Sequence, residues 1–110
     1  MSISWDDFEK IDIRTGTILS AMPFERAIKP AYQLEIDFGT LGIKRSSAQI
    51  THHYTIDALV GRQVIAVVNF PPKQIANFFS ECLVLGIYDT NRQVVLLKPD
   101  MKVENGAQIG

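Results

Sequence analysis

The sequence predicts an all-β fold: a five-stranded barrel with a short N-terminal helix, a short helix between strands 3 and 4, and a C-terminal β extension. Three observations carry this. Several short segments alternate apolar and polar residues or are rich in β-branched side chains. The one interior stretch with helix punctuation, Thr55–Gly61, falls between the third and fourth of them. The strand–helix alternation that builds a parallel sheet is missing.

Ser4-Trp5-Asp6-Asp7-Phe8-Glu9 reads as a short helix, with Ser4 as N-cap and acids in the first turn facing the positive end of the peptide dipoles. Ile11–Leu19 alternates and is β-branched, giving a first strand, and Gly16 inside it marks a bulge or a bend at a barrel corner. Met22–Pro30, with two prolines, is a connecting loop. Tyr32, Leu34, Ile36 and Phe38 alternate with Gln33, Glu35 and Asp37 in a half-buried strand that ends at Gly39. Ile43–Ile50 is a third, more polar strand. Thr55–Gly61 has a capping threonine, an early acid and a terminal glycine, enough for one or two helical turns. Gln63–Phe70 is nearly all apolar, as in a strand buried on both faces, and Pro71-Pro72 stops it. Ser80–Tyr88 is a fifth strand and Val94–Lys98 a sixth, and Asn105-Gly106 is a tight-turn signal. Strands and helix in this order match the oligonucleotide/oligosaccharide-binding (OB) barrel.

With 110 residues, 46% hydrophobic and 21% charged, residues 1–110 are expected to form one globular domain. Eleven Lys and Arg against twelve Asp and Glu argue against a purely electrostatic nucleic-acid binder, so RNA contact requires a local basic patch. Cys82 is the only cysteine, which excludes an internal disulfide and a cysteine metal cluster and fits a reducing cytoplasm. No apolar run approaches the ~20 residues of a membrane span, and Met1–Lys10 lacks the basic start of a secretory signal.

Catalytic chemistry finds little support. His52 and His53 are adjacent, so on extended chain they point to opposite faces, and with no third ligand at helical spacing they read as solvated histidines in a strand-to-helix loop. Ser46, Ser47 and Ser80 sit in no nucleophile elbow, Cys82 opens an apolar run as a small core residue, and Asp12, Glu35 and Asp37 form no pair. No glycine-rich phosphate loop is present. Neither enzyme activity, metal nor cofactor is expected.

The segment Asn69–Glu81 stands out. Phe70, Pro71, Pro72, Ile75, Phe78 and Phe79 are candidates to bind peptide or stacked bases on a loop stiffened by proline. The competing reading has Ile75, Phe78 and Phe79 plug the barrel bottom or a subunit contact. Phe78 and Phe79 alternate, so only one faces inward. Candidate RNA contacts are Arg14, Lys44, Arg45, Asn69, Lys73 and Ser80, with Lys29 alongside. Adjacent Lys44 and Arg45 face opposite sides. Trp5, Phe8, Met101, Val103 and Ile109 lie outside the barrel and need burial, which an isologous homodimer supplies.

The chain resembles the CsaA family of small bacterial chaperones linked to protein export. The resemblance is carried by Phe8–Ile18, Ile36–Gly39, Gly42–Lys44, Ser46-Ser47-Ala48-Gln49-Ile50-Thr51, Val64–Pro72, Ser80–Gly86, Val95–Asp100 and Asn105-Gly106. It implies an OB fold, a homodimer, and binding of unfolded or precursor polypeptides, with export machinery as a further partner. The family is in turn similar to the tRNA-binding domain appended to some aminoacyl-tRNA synthetases, whose loop reads Asn-Leu-Lys-Pro-x-Lys-x-Arg-Gly-x-x-Ser. Asn69, Pro72 and Ser80 match that loop. Its first lysine is Pro71 here, its second is Gln74 with Lys73 beside it, its arginine is Ala76 and its glycine Asn77, a residue that tolerates left-handed backbone. One cation for three implies weak tRNA binding with shallow salt dependence. The first loop, Phe24-Glu25-Arg26-Ala27-Ile28-Lys29-Pro30, also departs from the CsaA pattern Phe-Pro-Glu-Ala-Arg-x-Pro, so that arginine's contact does not transfer to Ile28. The resulting expectation is a chaperone holding extended, partly apolar segments of basic or mixed charge. The alternative is a tRNA-binding module using the barrel face.

Overall fold

The computed structural model describes residues 1–110. Helix α1 (Trp5–Glu9) precedes β1 (Ile13–Pro23), β2 (Tyr32–Asp37) and β3 (Ile43–Ala48). Helix α2 (Ile56–Leu59) then leads to β4 (Gln63–Val67), β5 (Lys73–Ile75), β6 (Phe78–Ser80), β7 (Leu83–Val84), β8 (Gly86–Tyr88) and β9 (Val94–Leu96). Both helices start at the expected caps. Ser4 and Asp7 form a reciprocal capping box, and the Thr55 hydroxyl accepts from the Ala58 N–H. Neither helix is long and apolar enough to cross a membrane.

Strands β3-β2-β1-β4-β7 form one antiparallel sheet that curls into a nearly closed OB-like barrel. The two edges meet at a seam. There the Glu81 N–H donates to the Arg45 carbonyl (2.8 Å) and Glu81 Oε1 accepts from the Arg45 N–H (2.9 Å). Ser80 Oγ accepts from the Ser47 N–H (3.1 Å), and the Ser46 hydroxyl donates to the Cys82 carbonyl (3.0 Å). One of these four bonds is backbone to backbone.

The alternation in β2 sends Leu34 and Ile36 inward, followed by Phe38, and they meet Ile18, Val64, Ala66, Leu59 and Leu96 in the main core. Gly16 makes no bulge. The irregularity in β1 lies between Ile18 and Ser20, and Gly16 is buried where a Cβ would stand 2.7 Å from Ile36 Cγ2 and 2.8 Å from the Phe38 ring. Glycine is required there by close packing.

The expected fifth strand, Ser80–Tyr88, is broken into pieces because it changes partners. Ser80–Cys82 bonds across the seam to β3, Leu83–Val84 pairs with β4, and Gly86–Tyr88 pairs with β9. The fourth strand ends at Val67 rather than Phe70, since the next backbone N–H donates to Asp12 and Asn69 turns to hold the N-terminal segment. The C-terminal extension is β only in part. Beyond β9 the tail runs beside the first half of β1, whose edge β2 leaves free, with Thr15 N–H to Ala107 O (3.0 Å), Gly106 N–H to Thr15 O (2.7 Å) and Ile109 N–H to Ile13 O (2.9 Å). The Asn105-Gly106 turn is present, with φ +88° at Gly106 and the Ala107 N–H donating to Glu104.

Asn69–Glu81, expected as an open connection, contains a hairpin. β5 pairs with β6 from Lys73↔Ser80 to Ile75↔Phe78 around a two-residue turn, Ala76-Asn77. The positive φ falls on Ala76 (+54°) and not on Asn77. An L-residue with a Cβ costs about 1–2 kcal/mol there, offset in part by glycine's larger unfolded-state entropy. Ala76→Gly is therefore expected to stabilise by about 0.5 kcal/mol, seen as a higher denaturant midpoint at unchanged slope. A lower midpoint would contradict the turn geometry.

Candidate ligand groove

A groove of about 1440 Å³ opens between the β5–β6 hairpin, the end of β3 with the loop after it, and the β8–β9 hairpin. Its base includes buried Ala48, Ile50 and Cys82. Phe70, Pro71, Pro72, Lys73 and Ile75 line it from one segment, Tyr88, Arg92 and Val94 from another, and Lys29 and His52 contribute from the intervening loops. Phe70 is 55% exposed, so its ring stands ready for a ligand rather than for the core. Three permanent cations, Lys29, Lys73 and Arg92, line the groove, and no carboxylate does.

The hairpin register sorts the apolar candidates. Ile75 and Phe78 share one face, Gln74 and Phe79 the other. Phe78 is buried against Phe24 (ring centroids 5.4 Å apart) and Ala31, with the Arg45 guanidinium 5.0 Å from its ring centre, so it supports the hairpin and is closed to a ligand. Phe79 is 45% exposed yet lies outside the groove lining. The groove's apolar character therefore comes from Phe70, Pro71, Pro72 and Ile75.

The basic candidates are dispersed. Arg14 is spent on Asp12 (Nε to Oδ1, 2.6 Å) and on the Gly106 carbonyl (3.0 Å), tying the tail to β1. Lys44 lies opposite Ile36 on the core-facing register of β3 and is half-buried, and Arg45 pairs with Glu81 at 3.7 Å. Asn69 bridges Asp12 N–H (3.0 Å) and Lys10 O (2.7 Å). Ser80 lines the groove, but its hydroxyl is taken by the seam. Of the proposed cations, Lys73 and Lys29 reach the groove, where Arg92 joins them. Sequence reasoning missed Arg92. The available signal was Asp89-Thr90-Asn91, turn-forming residues that place the next side chain at a loop tip.

The histidines are not simply solvated. His53 Nε2 lies 2.7 Å from Asp89 Oδ2, and the His52 ring meets His53 edge-on at 4.8 Å. The Asp89 carboxyl is held below its ordinary range by the Gln93 backbone N–H first, and then by His53. No group of three His, Cys, Asp or Glu side chains is placed to hold a metal ion. Burial pushes the Cys82 thiol up to about 11, so it stays protonated and inert at neutral pH. Of the candidate contact residues, Trp5 is 80% exposed and meets Phe8 edge-on at 6.4 Å, and Met101 is exposed. Val103 and Ile109 flank a second, apolar cleft of about 550 Å³ with Ile13, Ile65, Leu85 and Leu97.

Residues 13–108 match the family model described as a putative tRNA binding domain. The chain belongs to that family. As a tRNA-binding-type domain it is similar to the CsaA chaperone protein of Picrophilus torridus, at 55% identity and a TM-score of 0.93 over 99% of this chain and 100% of that one. The chaperone CsaA of Bacillus anthracis gives 50% identity and a TM-score of 0.93 over the full length of both. Within the family, this domain is of the CsaA type. Curated relatives include the methionine–tRNA ligases of Methanosarcina mazei and Porphyromonas gingivalis, 31% and 34% identical over 107 residues. That match covers 97% of this domain, which spans about 15% of those enzymes' length.

Proposed function

We propose that the domain is a chaperone that holds extended segments of unfolded or precursor polypeptide in the groove, and that it is not an enzyme. The observation that carries this reading is an open groove whose exposed Phe70, prolines and half-buried Ile75 offer apolar surface on a pre-stiffened backbone. Identity of 50–55% to proteins described as CsaA chaperones supports it. The reading extends to precursors bound for export, handled in the cytoplasm, and to a homodimer in which Trp5, Phe8, Met101, Val103 and Ile109 meet a second copy.

Burying one large apolar side chain contributes roughly 1.5–3 kcal/mol, so affinity rests on few residues. Phe70→Ser and Ile75→Ser are each expected to weaken binding of an unfolded fluorescent client about tenfold. Phe79→Ser should bind as the parent does, because its ring faces away from the groove. Unchanged affinity in both groove variants, at parental melting temperature, would overturn the assignment.

The carboxylate-free lining and the family model favour a second reading, tRNA binding. Three groove cations imply a slope of log affinity against log salt of about −2 to −3. Lys73→Glu should then lower tRNA binding while sparing a neutral apolar peptide.

A further inference from the structure

Lys29, Lys73 and Arg92 reach one groove from three separate parts of a chain whose net charge is −1, and none of its twelve carboxylates lines that groove. The acids adjacent in sequence to lining residues are already engaged. Glu81 accepts from the Arg45 N–H and pairs with its guanidinium, while Asp89 accepts from the Asn91 and Gln93 N–H groups and faces His53. The groove's positive charge is therefore uncompensated from within.

Arg92 is held there at a conformational cost. The β8–β9 hairpin turns through Thr90, Asn91 and Arg92, with the Arg92 N–H donating to the Asp89 carbonyl (3.0 Å) and the Asp89 N–H to the Gln93 carbonyl (2.8 Å). A turn followed by a left-handed residue is the usual three-residue hairpin loop, and that last position favours glycine or asparagine. Here it is arginine, at φ +61°. Its guanidinium carbon sits 4.6 Å from the centre of the exposed Tyr88 ring, which also lines the groove. Stacking on the ring fixes the guanidinium plane and leaves its edge free to meet a carboxylate through two parallel N–H donors. An arginine serving only as solvated surface charge has no need of the position where a side chain is least favoured.

Building on the polypeptide reading above, we propose that the groove selects client segments in which apolar side chains alternate with carboxylates, and that Arg92, stacked on Tyr88, is the residue that reads the carboxylate. Basic segments, expected from the sequence among the clients, are disfavoured by the same charges.

The test uses three short fluorescent peptides with identical Leu and Phe positions and Glu, Ser or Lys at every other position, titrated by anisotropy at low and moderate salt. The Glu peptide should bind tightest, roughly tenfold better than the Ser peptide, and the Lys peptide weakest, with the differences shrinking as salt rises. Arg92→Gly should melt at or above the parent temperature and lose about three- to tenfold in affinity for the Glu peptide, a larger loss than for the Ser peptide. Arg92→Lys, which keeps the charge without the planar fork, should recover part of the loss. Equal binding of all three peptides overturns the charge selection and leaves the apolar groove standing. Binding of none of them, while a single-stranded oligonucleotide binds and Arg92→Gly weakens it, overturns the polypeptide reading as well and assigns the cations to phosphate.

Discussion

Phe38→Ala is expected to remove about 3–5 kcal/mol of stability, the range for emptying a fully buried aromatic site. Small domains hold only about 5–15 kcal/mol in total, so the variant should sit at the edge of folding at 37 °C. The size follows from what the ring touches. Phe38 is fully buried in the main core, and its edge covers the position where Gly16 has no side chain. The two residues are one packing unit, with β1 giving up a Cβ at Gly16 so that the aromatic just after β2 can lie across it. Gly16→Ala alone should cost about 1–3 kcal/mol by overpacking. Combined with Phe38→Leu it should cost less than the sum of the single changes, because the smaller side chain yields the space. Urea denaturation of the four proteins, followed by circular dichroism, measures the coupling. Strict additivity would show that ring and glycine do not touch.

Gly106→Val should be the second most damaging change, with a loss of about 2–4 kcal/mol. At φ +88° a β-branched residue is strained wherever it finds space, and here there is none, since a Cβ would stand 2.5 Å from the Phe38 carbonyl oxygen. Gly39 answers from the other side, its own missing Cβ making room for the Asn105 carbonyl. Two glycines far apart in the sequence thus let backbone lie directly on backbone. If this contact fails, the tail loses its hydrogen bonds to Ile13 and Thr15, the Thr17 bond to Asn105 Oδ1 (2.6 Å) and the Gln63 bond to the Val103 carbonyl (2.7 Å). Limited trypsin digestion should then cut at Lys102 well before the barrel. A variant that melts and digests like the parent would show that the tail is held by other means.

How far the fold could be read in advance depended on the range of the interaction concerned. Leu34, Ile36 and Phe38 announce their strand because alternation is local, and Ser4 and Thr55 announce their helices because caps act within one turn. The hairpin at Ala76-Asn77 was hidden, since an alanine at positive φ contradicts local preference and is tolerated only through the pairing on either side. Arg14, Asn69 and Ser80 look like free polar residues in the chain. Each satisfies groups far away in sequence, and for Arg14 the partner carbonyl lies 92 residues on. The groove itself was unreadable for the same reason. Its charge is a sum over positions 29, 73 and 92, and no window of sequence contains them all.

The barrel seam has a further meaning for motion. A ladder of backbone bonds opens only when a strand unfolds locally, whereas bonds from serine and glutamate side chains release by rotamer changes, which are far faster and leave the strands intact. Ser47, Ser80 and Cys82 belong both to this seam and to the groove lining. Parting the seam would therefore widen the groove, at the expense of one backbone bond and of the core contacts that Cys82 makes in the cluster around Phe38. A cleft closed mainly by side-chain bonds would widen for bulkier segments at a smaller cost to the barrel than one closed by a full backbone ladder.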